Sequence, residues 1–180
     1  GLRGDLCRQF QVRQAGHVFV PQKHSSGMMI AFAPPKHVVD SLHVNDENAE
    51  PAHDLHVTAA YLGKMAEYSP QQLTDLPEVM DSWAEGQKPI NLAVQGSGTF
   101  LSPDGEQPHV LHALVNAPGL HRVQAHLVDH LKKYGYNPRE NHGYIPHITV
   151  GYTKHPVRFL PKVERKTWLA KDIWSSIGDQ

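Results

Sequence analysis

Two short segments of the sequence carry the same pair of polar side chains. His56 and Thr58 open the segment HVTAAYLGK, and His147 and Thr149 open the segment HITVGYTK. The other residues of both segments are mostly apolar, which is typical of buried β-strands. Because residues i and i+2 of a strand point to the same face, each segment is expected to present one imidazole and one hydroxyl to a common groove.

Two facing imidazoles and two hydroxyls suit the cleavage of a phosphodiester. A histidine has an ordinary pKa of about 6.5, so near neutral pH one ring can accept a proton while the other donates one. The threonine hydroxyls can donate hydrogen bonds to the non-bridging phosphate oxygens. No serine or cysteine with a dedicated base is evident, so the pattern predicts acid–base catalysis without a covalent nucleophile.

A tyrosine follows each histidine by five residues, as Tyr61 and as Tyr152. Regular strand alternation predicts that Tyr61 points away from the polar pair, towards the apolar face. The same rule places Tyr152 on the apolar face unless Gly151 permits a β-bulge.

The two motifs end two similar halves of the chain. The order strand, proline-ended turn, helix and His-x-Thr strand runs from GMMIAFAPP to LHVTAAYLG, and again from HVLHALVNAP to IPHITVGYT. Repetition of a whole supersecondary unit is a stronger signal than either motif alone. The sequence therefore predicts a duplicated α+β fold with pseudo-two-fold symmetry.

The remaining segments predict further helices and strands. A capping-box signature at residues 69–72 begins a helix that Pro77 is expected to kink or split. Residues 90–100 alternate like a strand, and an apolar stripe at helical spacing runs from Leu120 to Tyr134. Additional strands are expected in HVFV, VRFLP and KTWLAKDIWSSI.

Length and composition favour a single globular domain. The chain has 180 residues and a formal net charge of −1, so a phosphate site must be built locally. We expect residues 1–26 to form an N-terminal extension and residues 27–180 to form one bilobal domain.

One cysteine excludes an intramolecular disulfide and a cysteine-based zinc site. No apolar run is long enough to cross a membrane and no secretion signal is evident, so a cytoplasmic monomer is expected.

The segments DLHVTAAYLG and GYIPHITVGY resemble the two signature segments of the 2H phosphoesterase superfamily. That superfamily includes RNA 2′,3′-cyclic phosphodiesterases, also called 2′-5′ RNA ligases, and viral enzymes that degrade 2′-5′ or cyclic oligonucleotides. The resemblance covers roughly residues 27–176. It implies two similar α+β lobes whose antiparallel sheets flank a central groove, with helices outside.

The resemblance also implies roles for particular residues. His56 and His147 would be the catalytic acid and base, in an order left open, and Thr58 and Thr149 would hold the phosphate. Tyr152 matches a tyrosine that some members place near the substrate. No metal and no organic cofactor is implied. The expected substrate is a nucleotide or short oligonucleotide with a 2′,3′-cyclic phosphate, a 2′-5′ linkage or a cyclic backbone.

Several alternatives stay open at this point. Arg139, in the loop before the second motif, is a candidate substrate-binding cation. An ordinary solvated charge at the protein surface explains this residue equally well. The fold could serve as a non-catalytic nucleotide-binding module, or as a viral enzyme that destroys a signalling cyclic oligonucleotide. The spacings of His53 with His56 and of His126 with His130 could also hold a metal ion.

Overall fold

Eight strands form one sheet in the order β1-β8-β2-β3-β6-β5-β4-β7. The computed structural model describes residues 9–15, 27–44, 48–139, 143–155 and 162–178. The strands are β1 (Gln11–Gln14), β2 (Gly27–Phe32), β3 (Val57–Lys64), β4 (Ile90–Phe100), β5 (His109–Val115), β6 (His147–Thr153), β7 (Lys166–Ala170) and β8 (Asp172–Ile177). The helices are α1 (Lys36–Leu42), α2 (Pro70–Ala84) and α3 (Leu120–Lys133). The segments HVFV and VRFLP lie outside the described residues.

The predicted duplication is visible in the sheet. One half contains β1, β8, β2 and β3, the other contains β6, β5, β4 and β7, and the repeated units are β2-α1-β3 and β5-α3-β6. The halves meet where β3 and β6 lie antiparallel through the register pair Val57–Ile148. The predicted α+β class is confirmed. One detail differs from the antiparallel sheets that the resemblance implies. Strand β1 pairs parallel to β8 at the outer edge of the sheet.

Apolar residues fill the space between the sheet and the helices. Helix α3 buries one face against the sheet, through Leu120, Val123, Leu127, Val128 and Leu131. Tyr134, placed at the end of this stripe by the sequence pattern, is 46% exposed. The helix has already ended there, because Gly135 adopts a φ of +87° that terminates it.

Helix α2 starts as the sequence predicts and continues further than expected. The Ser69 hydroxyl accepts from the Gln72 backbone N–H and the Gln72 side chain accepts from the Ser69 backbone N–H, which completes the capping box. The helix then runs through Pro77 to Ala84, so the expectation that Pro77 splits it is wrong. Proline lacks only one helical hydrogen bond, and burial of Leu76, Val79, Met80 and Trp83 holds the helix to the sheet.

The described part of the N-terminal segment joins the sheet. Phe10 is 1% exposed, and its ring lies 5.4 Å from Trp83 and 5.7 Å from Phe32, centroid to centroid. Strand β1 then covers the free edge of β8. Residues 9–15 therefore contribute to the core, while a domain boundary at residue 26 stays a prediction.

Each loop that precedes a motif strand hydrogen-bonds to the motif strand of the other half. Before β3, the Glu50 backbone N–H donates to the Val150 carbonyl (3.0 Å), and the Tyr152 N–H donates to the Asn48 carbonyl (3.1 Å). These bonds fill the gap that opens beside β6 as β3 diverges from it.

The loop before β6 makes the equivalent contacts with β3. The Arg139 N–H donates to the Tyr61 carbonyl (2.8 Å), and the Tyr144 hydroxyl donates to the Thr58 carbonyl (2.7 Å). Arg139 and Asn48 each lie eight residues before their motif histidine, so the crossing loops repeat the pseudo-two-fold symmetry.

Close contact at Gly151 gives a test of this crossing. A Cβ atom at Gly151 would lie 3.0 Å from the Asn48 carbonyl oxygen, and that oxygen belongs to backbone. We expect Gly151→Ala to lower the free energy of unfolding by about 1–3 kcal/mol, measured by urea denaturation. Gly86→Ala is the matched control, because no atom lies within 4 Å of its Cβ position. Equal stability of the two variants would contradict the crowding.

Candidate active site

The two His-x-Thr pairs meet at the centre of the sheet. Val57 lies opposite Ile148 in the antiparallel register, so continuing that register by one residue places His56 opposite Thr149 and Thr58 opposite His147. Val57 and Ile148 are fully buried on the helix side. The four polar residues therefore share the other face. We call His56, Thr58, His147 and Thr149 the polar cluster.

Both imidazoles are oriented by the same backbone contact. Nδ1 of His56 lies 2.7 Å from the Asp54 carbonyl oxygen, and Nδ1 of His147 lies 2.7 Å from the Ile145 carbonyl oxygen. Because a carbonyl only accepts hydrogen bonds, Nδ1 carries the proton in each neutral ring. Nε2 is then the atom that accepts or releases a proton, in both histidines.

Burial shapes the acid–base properties of this pair. Removal from water disfavours the charged form and lowers the pKa of His56 and of His147 below the ordinary value. The bond to the Asp54 carbonyl opposes this effect at His56, and a charge on His147 lowers the pKa of His56 further. The two rings are thus electrostatically coupled.

The two threonines of the cluster are half-buried. Within the described residues, neither Thr58 nor Thr149 uses its hydroxyl in a side-chain hydrogen bond. Each hydroxyl can therefore donate to an oxygen of a bound anion. Since each threonine faces the histidine of the other strand, donors and imidazoles alternate around the cluster.

Two β-bulges bring both motif tyrosines to the groove face. The register of β3 skips Ala59 and that of β6 skips Val150, and each extra residue reverses the alternation beyond it. The prediction that Tyr61 faces the apolar side is therefore wrong. For Tyr152 the bulge that the sequence analysis required is present, next to Gly151.

The two tyrosines have different surroundings. The Tyr152 hydroxyl bonds to the Glu50 carboxylate, and burial, followed by this bond, raises the pKa of Tyr152. Burial also raises the pKa of Glu50. Tyr61 instead packs against Met29 and Ala31 of β2.

Arg139 lies near the cluster but has an acidic partner. Its guanidinium forms an ion pair with Glu67, and its side chain lines a cavity shared with Thr58 and His147. The pairing neutralises much of its charge. Arg139 therefore borders the groove without bringing an uncompensated cation to it.

A third histidine, His112, was not identified from the sequence. It lies opposite Thr149 on β5, is 3% exposed, and its ring centroid is 5.4 Å from that of His147. Phe100 stacks on it at 3.9 Å. A Cβ on Gly98 would lie 2.8 Å from its Nε2, so the missing side chain makes room for this ring. Burial, then the charge on His147, lowers the pKa of His112.

The metal-binding alternative receives no geometric support in the described part of the chain. There, no three His, Cys, Asp or Glu side chains converge as metal ligands. His130, one of the candidates, lies 2.9 Å from the Ser82 hydroxyl and 2.9 Å from the Val79 carbonyl.

Within the same described ranges, no helix has the length and apolar character needed to cross a membrane.

A duplicated sheet with one His-x-Thr strand from each half defines the two-histidine phosphoesterase class of fold. The family model of the 2′-5′ RNA ligase superfamily matches residues 32–173. The chain therefore belongs to the 2′-5′ RNA ligase superfamily, and the resemblance stated from the sequence is confirmed.

Solved structures share this fold at low sequence identity. The protein TT0787 of Thermus thermophilus is 23% identical, with a TM-score of 0.59 and 83% of each chain covered. E. coli LigT complexed with NADP⁺ is 18% identical, with a TM-score of 0.60 over 81% of this chain and 83% of LigT. The MHV ns2 PDE domain is 13% identical, with a TM-score of 0.56 over 80% of this chain and 88% of that domain. No curated protein matches the chain.

Proposed function

We propose that this chain is a metal-independent phosphodiesterase in which His56 and His147 act as general acid and general base on a nucleotide. The observation that supports it best is the matched pair of 2.7 Å bonds from Nδ1 to a backbone carbonyl. Both rings thereby present Nε2 for proton transfer, which is the geometry that a two-imidazole mechanism requires.

The reaction follows from these two atoms. Nε2 of the neutral histidine takes a proton from water, and the water oxygen forms a bond to phosphorus. The ester P–O bond on the opposite side breaks, and its oxygen takes the proton from Nε2 of the protonated histidine. Thr58 and Thr149 donate to the non-bridging oxygens, where charge builds up in the transition state. The product is a nucleoside phosphomonoester, or a linear chain that ends in a phosphomonoester.

Three substrate types fit this chemistry: a 2′,3′-cyclic phosphate, a 2′-5′ linkage and a cyclic oligonucleotide. Crystals of E. coli LigT hold 3′-AMP or ATP in related structures, and the MHV domain is described as a PDE. The net charge of −1 favours a small substrate over a long polyanion. A nucleotide or short oligonucleotide is therefore proposed.

A substrate panel in EDTA tests the proposal. The purified chain is incubated with nucleoside 2′,3′-cyclic phosphates, 2′-5′ oligoadenylate and a cyclic dinucleotide, and products are separated by chromatography. Turnover of at least one substrate that EDTA leaves unchanged is the expected result. Binding of these nucleotides without any turnover would instead favour the non-catalytic binding module.

The threonines give a further prediction. We expect Thr58→Val and Thr149→Val each to lower kcat by about 10²-fold, because each removes one donor to the transition-state oxygens while keeping the side-chain shape. Thr167→Val, on the exposed face of β7, serves as the control and should retain activity. Steady-state kinetics on the best substrate of the panel measure the effect. A loss confined to KM would show that the hydroxyls do not act in the transition state.

A further inference from the structure

Tyr144 lies in the loop before β6 and joins that loop to the other half of the sheet. Its hydroxyl donates to the Thr58 carbonyl over 2.7 Å. Thr58 pairs with Ala31 of β2, so this carbonyl is a fixed point in the sheet. Strands β3 and β6 share the register pair Val57–Ile148 and then diverge. The hydroxyl therefore bridges the two halves at the place where their strands separate.

The bridge depends on the hydroxyl alone, because the ring of Tyr144 is held separately. The ring packs edge-on against His121 of α3, with 5.6 Å between the two centroids. Burial raises the pKa of Tyr144, so the hydroxyl keeps its proton and donates near neutral pH. Tyr144→Phe would therefore retain the ring contact and remove one hydrogen bond.

The residue after Tyr144 carries the carbonyl that orients His147. Nδ1 of His147 lies 2.7 Å from the Ile145 carbonyl oxygen. On the other side of Ile145, the Pro146 carbonyl accepts from the Val115 N–H of β5 (3.1 Å). The backbone around Ile145 is thus tied to β3 through the Tyr144 hydroxyl and to β5 through Pro146. These two ties determine where the Ile145 carbonyl points.

The first half of the chain supports its orienting carbonyl in a different way. Asp54, whose carbonyl contacts Nδ1 of His56, lies within the 3₁₀-helix Ala52–Asp54. Its N–H donates to the Pro51 carbonyl (2.9 Å), so a local turn fixes the backbone there. The loop before β6 has no such turn at residues 143–146. Its orienting carbonyl therefore depends on contacts with other strands.

We propose that Tyr144 is a positioning residue for His147: its hydroxyl, anchored on β3, holds the Ile145 carbonyl where that carbonyl fixes the imidazole ring. The inference rests on the proposed phosphodiesterase function, in which Nε2 of His147 takes or gives a proton. A ring released from the carbonyl can adopt the other neutral tautomer and turn Nε2 away from the groove. Fewer molecules would then be arranged for reaction.

The tautomer of His147 gives a direct test. At pH 8 both imidazoles of the polar cluster are neutral, because burial holds the pKa of each below 6.5. Long-range ¹H–¹⁵N spectra of the labelled wild type should then show the proton on Nδ1 of His56 and of His147. In Tyr144→Phe the His147 signals should shift to a mixture of the two tautomers, and the His56 signals should not. The spectra of His56→Ala and His147→Ala assign the signals. An unchanged His147 tautomer would overturn the inference.

Tyr136→Phe is the matched control for loss of a buried hydroxyl. The Tyr136 hydroxyl also donates to a backbone carbonyl, that of Gln72 (2.5 Å), and its ring belongs to the core on the helix side of the sheet. Both variants should lower the free energy of unfolding, because each removes one hydrogen bond. The His147 tautomer should change in Tyr144→Phe alone. The same change in Tyr136→Phe would show that general loss of stability suffices, and would overturn the inference.

Kinetics on the best substrate of the panel test the consequence for catalysis. Tyr144→Phe should lower kcat by about tenfold and leave KM unchanged, because the ring orientation is altered and the substrate contacts are not. In the His147→Ala background the same change should have no further effect, since no ring is left to position. Tyr136→Phe should keep wild-type kinetics. A tautomer shift in Tyr144→Phe with full kcat would overturn the positioning role.

The outcomes separate this inference from the proposed function. If the wild type cleaves no member of the panel, the proposed function is overturned, and the spectra still decide whether Tyr144 orients His147. If the wild type is active and Tyr144→Phe leaves the His147 tautomer unchanged, the inference alone is overturned.

Discussion

Alanine in place of either His56 or His147 is expected to lower kcat by about 10²–10⁴-fold, because the proposed mechanism assigns one of the two proton transfers to each imidazole. The contacts that orient the two rings are alike, so the two losses should be of similar size. Neither change should unfold the protein, since both side chains face the groove while their neighbours Val57 and Ile148 fill the core. Single-turnover and steady-state kinetics on the substrate identified by the panel measure the effect.

The double variant and a surface control sharpen this test. Because the acid and the base act in one step, the combined loss should be far smaller than the product of the single losses. His126→Ala, on the exposed side of α3, removes an imidazole of the same chain and should retain wild-type kinetics. Full activity in either motif variant would rule out the two-histidine mechanism.

The wild-type enzyme should work best on the acid side of pH 6.5. Turnover needs one neutral and one protonated imidazole, so kcat/KM follows a bell-shaped curve between the two apparent pKa values of the pair. Burial lowers the pKa of both His56 and His147 below 6.5. The protonated member therefore becomes scarce as the pH rises past 6.5, and kcat/KM should fall about tenfold per pH unit there.

Rates measured from pH 4.5 to 8.5, with circular dichroism at each pH, separate this effect from acid unfolding. The pH range in which folding stability is lost distinguishes acid unfolding from protonation of the two imidazoles. A histidine whose pKa is lowered by folding reduces stability as the pH falls from 6.5 through its folded pKa. Loss of structure would thus shorten the acid limb and leave the alkaline limb unchanged. An optimum above pH 7 would contradict the burial of the pair.

The repeated motif made the centre of the site predictable from sequence. Alternation along each strand determined which face His56 and Thr58 share, and the repeat of the supersecondary unit indicated that His147 and Thr149 face them. The capping box at Ser69 and the apolar spacing of α3 likewise predicted helix positions. All of these signals are local in sequence, or depend on comparing two segments of the same chain.

The features that the sequence did not predict depend on how strands pair. The bulges at Ala59 and Val150 arise from the register of β3 on β2 and of β6 on β5, so the position of Tyr61 could not be read from alternation. In the sequence, His112 is only one polar residue within a predicted strand. Its proximity to the site becomes evident once β5 is paired with β6, which places His112 opposite Thr149. The cavity beside His147 depends on the loop before β6, which crosses to the other half, and no local pattern marks such a crossing.

The seam between the halves has a mechanical consequence. The strands that carry the polar cluster share one register pair, Val57–Ile148, so the strands alone would leave the two halves free to rotate about it. The crossing loops oppose that rotation, because one loop bonds to β6 on one side of the pair and the other loop bonds to β3 on the opposite side. A relative rotation of the halves would break these bonds, so the two imidazoles are held at a fixed spacing.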